Sequence, residues 1–247
     1  LALWSDMGLR HAGLLANKLE PDPVASMARL GSAGIRCSTL ITGSFDLNRP
    51  DSWEATQADH RRAIDLVAGQ GGLSIYFTPG RTTTISWQED FDRLAEAIAP
   101  TVAYGREKGV LAAIEPSLRT SASFVNTLRD AIDVAERTGI RLVVDFANVW
   151  MERDFRETVA RAMPHIALMQ IDDVIIGGGG RQAPGGRVHI GEGELPIRRM
   201  MEDVLDAGYA EVFDLEVVAA DFTTDCDEAV LRRGITAASD LLTELGI

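Results

Sequence analysis

Four apolar runs in this 247-residue chain end on a side chain able to bind a cation or move a proton. Residues 110–114 end in Glu115, residues 142–144 in Asp145, residues 166–169 in Gln170 and residues 212–215 in Glu216. An unpaired carboxylate after a buried strand is costly, so each acid needs a partner. Three carboxylates brought to one place repel strongly unless a cation holds them. Oxygen donors alone favour a hard divalent ion such as Mg2+ or Mn2+ over zinc, which prefers His and Cys. The competing explanation is an arginine at the rim of the site, paired with one or more of the acids.

Whether these side chains meet depends on the elements that carry them. Residues 9–16 read as a strand, and the Pro21-Asp22-Pro23 turn opens a helix to about residue 30. Residues 35–41 read as the next strand. The unit then repeats: helix 53–68 with strand 73–77, helix 87–108 with the strand ending at Glu115, helix 124–137 with the strand ending at Asp145. Helix 155–162 leads to the strand ending at Gln170, a Gly-rich loop over 175–195 and helix 197–206 lead to the strand ending at Glu216, and helix 227–245 follows. Strands apolar throughout, alternating with amphipathic helices, imply a parallel sheet covered on its faces.

These are seven βα units, and eight would close a barrel. The missing unit would be the first, since residues 1–7 are too short to hold a strand and its helix. An open doubly wound sheet would show a Gly-rich turn after its first strand, and none stands there. The predicted fold is α/β, a (β/α)8 TIM barrel with the first βα unit missing or truncated, in a single domain over residues 1–247. In that fold every strand's C-terminal end faces one mouth, so Glu115, Asp145, Gln170 and Glu216 converge.

Composition narrows the function. The 37 acidic against 24 basic residues, net charge -13, argue against a nucleic-acid partner. No apolar run approaches the ~20 residues of a membrane span and no signal peptide opens the chain. Cys37 and Cys226 make no disulfide framework, which fits the cytoplasm. Of the four histidines, His60 stands beside Arg61 and Arg62 on an amphipathic helix and reads as solvated, while His11 and His165 stand near strand starts, the wrong end for catalysis. Glycines 177–180 lack the Gly-Lys-Ser/Thr and following helix of a phosphate loop. Phe45 is a weak pocket candidate, and Cys37 reads as an inert buried thiol.

The strings Ala113-Ile114-Glu115-Pro116, Leu142-Val143-Val144-Asp145, Met169-Gln170-Ile171-Asp172-Asp173 and Gly191-Glu192-Gly193-Glu194-Leu195 resemble the xylose isomerase-like TIM-barrel family. That family of sugar isomerases and epimerases includes hydroxypyruvate isomerase, ketose 3-epimerases and inosose dehydratase. The resemblance implies a divalent metal, Mn2+ or Mg2+, held by Glu115, Asp145, Gln170 and Glu216, with Gln170 the hydroxypyruvate isomerase-like choice. It implies that Glu115 and Glu216 move a proton on opposite faces of the substrate through a metal-stabilised enediolate. Arg187 matches an arginine that reaches substrate oxygens, on a loop able to act as a lid, against the plainer reading of a solvated loop arginine. His189 is a second candidate near the substrate. Trp150 can stack on an apolar sugar face or pack between strand and helix. Asp172 and Asp173 can orient a ligand from behind.

One position departs from the family. Asn148 stands three residues after Asp145, where the family has a substrate-contacting His, and an amide cannot shuttle a proton at neutral pH. The scarcity of histidines also excludes the family's endonuclease IV branch, with its His-rich zinc site. The expected function is a divalent-metal-dependent isomerase or epimerase of a small sugar, polyol or hydroxy-keto acid. Asn148 admits a lyase on the same scaffold, resembling inosose dehydratase or the C-glycoside deglycosidases. A non-catalytic partner subunit is the third reading, against which the full set of four ligands counts. The expected partner is a small carbohydrate or keto acid, with neither nucleic acid nor membrane, and a homo-oligomer is left open.

Overall fold

The β-rich runs and amphipathic helices alternate as the sequence predicts in the computed structural model, which describes residues 1–176, 186–216 and 228–247. A short helix α1 (Ala2–Asp6) leads to β1 (His11–Leu15), followed by α2 (Pro23–Ser32), β2 (Arg36–Ile41), α3 (Trp53–Gly69), β3 (Ser74–Phe77), α4 (Trp87–Lys108) and β4 (Leu111–Ile114). Then come α5 (Leu128–Thr138), β5 (Arg141–Asp145), the single helical turn α6 (Phe146–Val149), α7 (Phe155–Ala162) and β6 (Ile166–Ile171). A small antiparallel pair, β7 (Asp173–Val174) with β8 (Arg187–Val188), precedes α8 (Ile197–Asp206), β9 (Phe213–Leu215) and α9 (Glu228–Glu244). Residues 177–180 and Cys226 lie outside the described residues.

Seven parallel strands in the order β1-β2-β3-β4-β5-β6-β9 form a nearly closed barrel. Local chemistry sets the helix ends. Ser86 accepts from Glu89 N to start α4, and Gly109, in the left-handed conformation at φ 71°, ends it. The helix predicted from residue 124 begins four residues later. Ser123 and Asn126 hold residues 117–126 in a side-chain-bonded turn, and Thr127 caps α5 by accepting from Asp130 N at 3.0 Å. Those polar side chains compete with helix for the local backbone.

The core has two layers, and the boundary between them fixes the site. Leu142 and Val144 of β5 pack outward with α5 and its neighbours, whereas Val143 packs inward with Tyr76, Ala113, Ala167 and Leu168. Side chains alternate with a period of two, so Asp145 shares the inner face with Val143. Glu115 follows Ala113 and Gln170 follows Leu168 in the same way. The register completes the alignment, pairing Asp145 with Gln170 and Gln170 with Asp214.

His60 is the clearest correction. It is fully buried, not solvated: its ring stacks on Phe77 at 4.6 Å and meets Phe45 edge-on, and its nitrogens bond Gly43 O at 2.8 Å and Thr101 Oγ1 at 3.2 Å. Phe45 is likewise core, part of this aromatic group. Cys37 is buried, and burial pushes its thiol up to about 12. Among the described residues, no helix is long and apolar enough to cross a membrane.

Candidate active site at the barrel mouth

Asp145 ends β5 and at once caps the turn behind it, its Oδ1 accepting from Ala147 N at 2.7 Å. That turn delivers Asn148 back over the strand end. Asn148 Nδ2 donates to Glu115 Oε1 at 2.7 Å and to Asp145 Oδ2 at 3.0 Å, while its Oδ1 accepts from Ser117 Oγ at 3.0 Å and Leu118 N at 3.3 Å. Both ends of the amide are therefore used. Arg187 enters from β8, buried, with Nε bonded to Asp172 and Nη2 to Asp145. Its Nη2 also stands 3.5 Å from Glu216 Oε1. The arginine at the rim, weighed against a metal in the sequence, is thus present and paired.

Behind this group Gln170 Nε2 donates to Tyr76 Oη at 3.1 Å and to Asp214 Oδ2 at 3.2 Å. Gln170 Oε1 is buried with no hydrogen-bond partner among the described residues. Asp173 faces the other way. Its carboxylate accepts from Val174 N, Leu195 N, Gly191 N and Gly193 N, all within 2.9–3.1 Å, and so folds the Gly-Glu-Gly-Glu segment over β7 and β8. A Cβ on Gly193 would lie 2.1 Å from Asp173 Oδ1, which makes glycine obligatory there.

The charge balance is acidic. Burial, then the Asp145 and Glu216 carboxylates, hold Glu115 well above the ordinary carboxylate range, with Arg187 opposing. Burial and then Asp145 push Asp172 up to about 8, and the same two causes push Glu216 up to about 7. Burial also raises Asp214, against the hydrogen bond from Gln170. Burial works against the charge of Arg187, but Asp145, Glu216 and Asp172 outweigh it and keep the guanidinium protonated. One buried guanidinium cannot neutralise five carboxylates.

Glu115, Asp145, Asn148, Arg187 and Glu216 lie in one connected group of hydrogen bonds and ion pairs. His189 is buried with Nδ1 unpartnered among the described residues, and Trp150 packs against the core with its buried Nε1 unpartnered. Asp172 reaches Ala147 N at 2.9 Å as well as Arg187, so it supports the site, whereas Asp173 supports the loop. The sequence reading missed Asp214 and Tyr76. Asp214 had a visible signal, an acid two residues before Glu216 on the same face of a short apolar strand.

Among the described residues no three His, Cys, Asp or Glu side chains close on one point that would hold an ion, and Arg187 pairs with Asp145 and Asp172 there. The donor chemistry nevertheless fits a hard divalent cation: buried Asp145 and Asp172 and half-buried Glu115, Asp214 and Glu216 share the barrel mouth with a buried carbonyl oxygen, Gln170 Oε1, that lacks a partner among the described residues.

The sequence matches the family model described as xylose isomerase-like TIM barrel over residues 4–239. The chain belongs to that family. Among solved structures it is similar to protein SMc04130 from Sinorhizobium meliloti 1021, at 22% identity and TM-score 0.85 over 97% of this chain and 91% of that one. The IolI protein with a binding zinc atom matches at 16% identity and TM-score 0.84, over 98% and 91%. L-ribulose 3-epimerase matches at 16% identity and TM-score 0.79, over 98% and 87%. These identities speak for the fold. Comparison with curated proteins found no match.

Proposed function

We propose that this chain is a divalent-metal-dependent isomerase or epimerase of a small sugar, polyol or hydroxy-keto acid. The observation that carries the proposal is the group of carboxylates at one barrel mouth, exceeding the single Arg187 guanidinium that pairs with them, together with the buried, unpartnered Gln170 Oε1. Glu115, Asp145, Gln170 and Glu216 are the residues that would hold the cation, and an all-oxygen set suits Mn2+ or Mg2+. A bound ion would supply a Lewis acid that polarises a substrate carbonyl and makes the adjacent C–H acidic.

This chain's own side chains then move the proton. Glu216 is the carboxylate that would take the proton from carbon and return it, and Glu115 is its counterpart across the site. Asn148 holds Glu115 and Asp145 in place through one amide nitrogen and cannot itself titrate. Arg187 is the donor for substrate oxygens, and His189 and Trp150 complete the proposed substrate contacts.

Turnover in D2O with Mn2+ tests this. A panel of ketoses and 3-keto-glycosides is expected to give an epimer or isomer that carries deuterium at the reacting carbon. Glu115→Gln and Glu216→Gln are each expected to lower kcat by about 10²–10⁴-fold. Wild-type rates in both variants would overturn the assignment. An eliminated product would instead place the reaction among lyases, the second reading, which Asn148 in place of a proton-shuttling histidine favours.

A further inference from the structure

Of the four proposed ligands, only Gln170 has two different polar ends, and only its oxygen can bind a cation. A half-turn of the amide exchanges Oε1 and Nε2 with little change of shape, so some neighbour must choose between them. Tyr76 does not choose, because a hydroxyl can donate or accept. Asp214 does. Its Oδ2 accepts from Gln170 Nε2 at 3.2 Å, and that bond holds the NH2 of the amide on the Asp214 side. Oε1 is thereby turned to the opposite side, where it is buried and unpartnered among the described residues.

The room for Asp214 comes from the strand at the other end of the sheet. A Cβ on Gly13 of β1 would lie 2.9 Å from Asp214 Oδ2, closer than such atoms approach. We propose that Asp214 is a positioning residue: accepting from Gln170 Nε2, it fixes the carbonyl oxygen of Gln170 toward the divalent cation and so sets the affinity of the site. This inference rests on the metal-dependent reading above. Orienting contacts of this kind typically change metal affinity by about 10–100-fold when removed.

Mn2+ titration followed by the paramagnetic resonance of the free ion, on protein shown to be folded by circular dichroism, tests the inference without reference to activity. Asp214→Asn replaces an acceptor with an ambivalent amide of the same size and is expected to weaken Mn2+ by about tenfold. In a Gln170→Ala background the same change is expected to alter affinity by less than about twofold, because no amide is left to orient. Gly13→Ala, which displaces the carboxylate and keeps its charge, is expected to weaken Mn2+ severalfold. An equal loss from Asp214→Asn in both backgrounds would show that charge alone matters and overturn the inference. Wild-type affinity in both Asp214→Asn and Gly13→Ala would overturn it as well. A wild-type protein that takes up no Mn2+ would overturn the metal-dependent reading itself, and this inference with it.

Discussion

Asn148 Nδ2 stands 2.7 Å from Glu115 Oε1 and donates to it, tying the turn after β5 to the end of β4. The bond matters because Glu115 and Asp145 repel one another, and this amide serves both. Asn148→Asp replaces the shared donor with a third carboxylate. The variant is expected to lose about 1–3 kcal/mol of stability at pH 8 and less at pH 5, where the acids can take protons. Urea unfolding at the two pH values checks this, and an equal loss at both would count against it.

The raised carboxylates give the metal-free protein a defined pH dependence. Asp172 rises from 3.8 to about 8 and Glu216 from 4.5 to about 7 on folding, so between pH 4 and 8 the native state holds more protons than the unfolded chain. Stability contributed by these groups is therefore present below their unfolded values and lost as pH rises through the folded ones. On the proposed metal-dependent reading, a divalent cation held by Glu216 would take the place of its proton. The rise in Tm caused by added Mn2+ is expected to be larger at pH 8 than at pH 5.5, and scanning calorimetry at the two values measures it.

Asp173 accepts four backbone N–H groups with its two oxygens. Asn in its place keeps one acceptor oxygen and adds an NH2 that faces donors. Asp173→Asn is expected to cost about 1–3 kcal/mol locally. Hydrogen exchange should quicken at the amides of Gly191, Gly193 and Leu195 and stay unchanged in β5. Unaltered protection at those three amides would show that the carboxylate does not hold the segment.

Burial lowers the pKa of His60 below its ordinary 6.5, so folding favours its neutral form. For a group depressed in this way the unfolded chain binds the proton first, and stability falls as pH drops below the unfolded value. His60→Gln removes the titration. Between pH 7 and 5 the Tm of the wild type is expected to fall more steeply than that of the variant, and parallel slopes would refute the assignment.

How much of this was legible depends on which force dominated each position. Glu115, Asp145, Gln170 and Glu216 could be found because a strand's period of two carries an inner-face apolar residue to a polar one at the mouth. The role of Asn148 could not, since its bridge joins β4 to β5 and no local pattern records that distance. His60 was misread because Arg61 and Arg62 flank it, although it lies at helical spacing from the buried Ala63, Ile64 and Val67. Asp214 lies inside the run 212–215 that ends at Glu216, so a pattern of strand-end acids marks only the second of the two acids on that face. The onset of α5 was misplaced because Phe124 and Val125 are apolar enough for helix, while Ser123 and Asn126 bond their own backbone instead.

The approach of Asp214 to Gly13 bears on what the two outer strands can attract. Among the described residues β1 and β9 have no partner strand on their outer sides, and open edges of that kind template pairing with another chain. A strand sliding in between them would have to part Asp214 from Gly13 and pack its own side chains against the carboxylate. An inward-pointing charge at such a seam is one of the devices by which proteins discourage edge-to-edge aggregation. The glycine that makes room for Asp214 thus also lets a charge stand at the seam between the two outer strands.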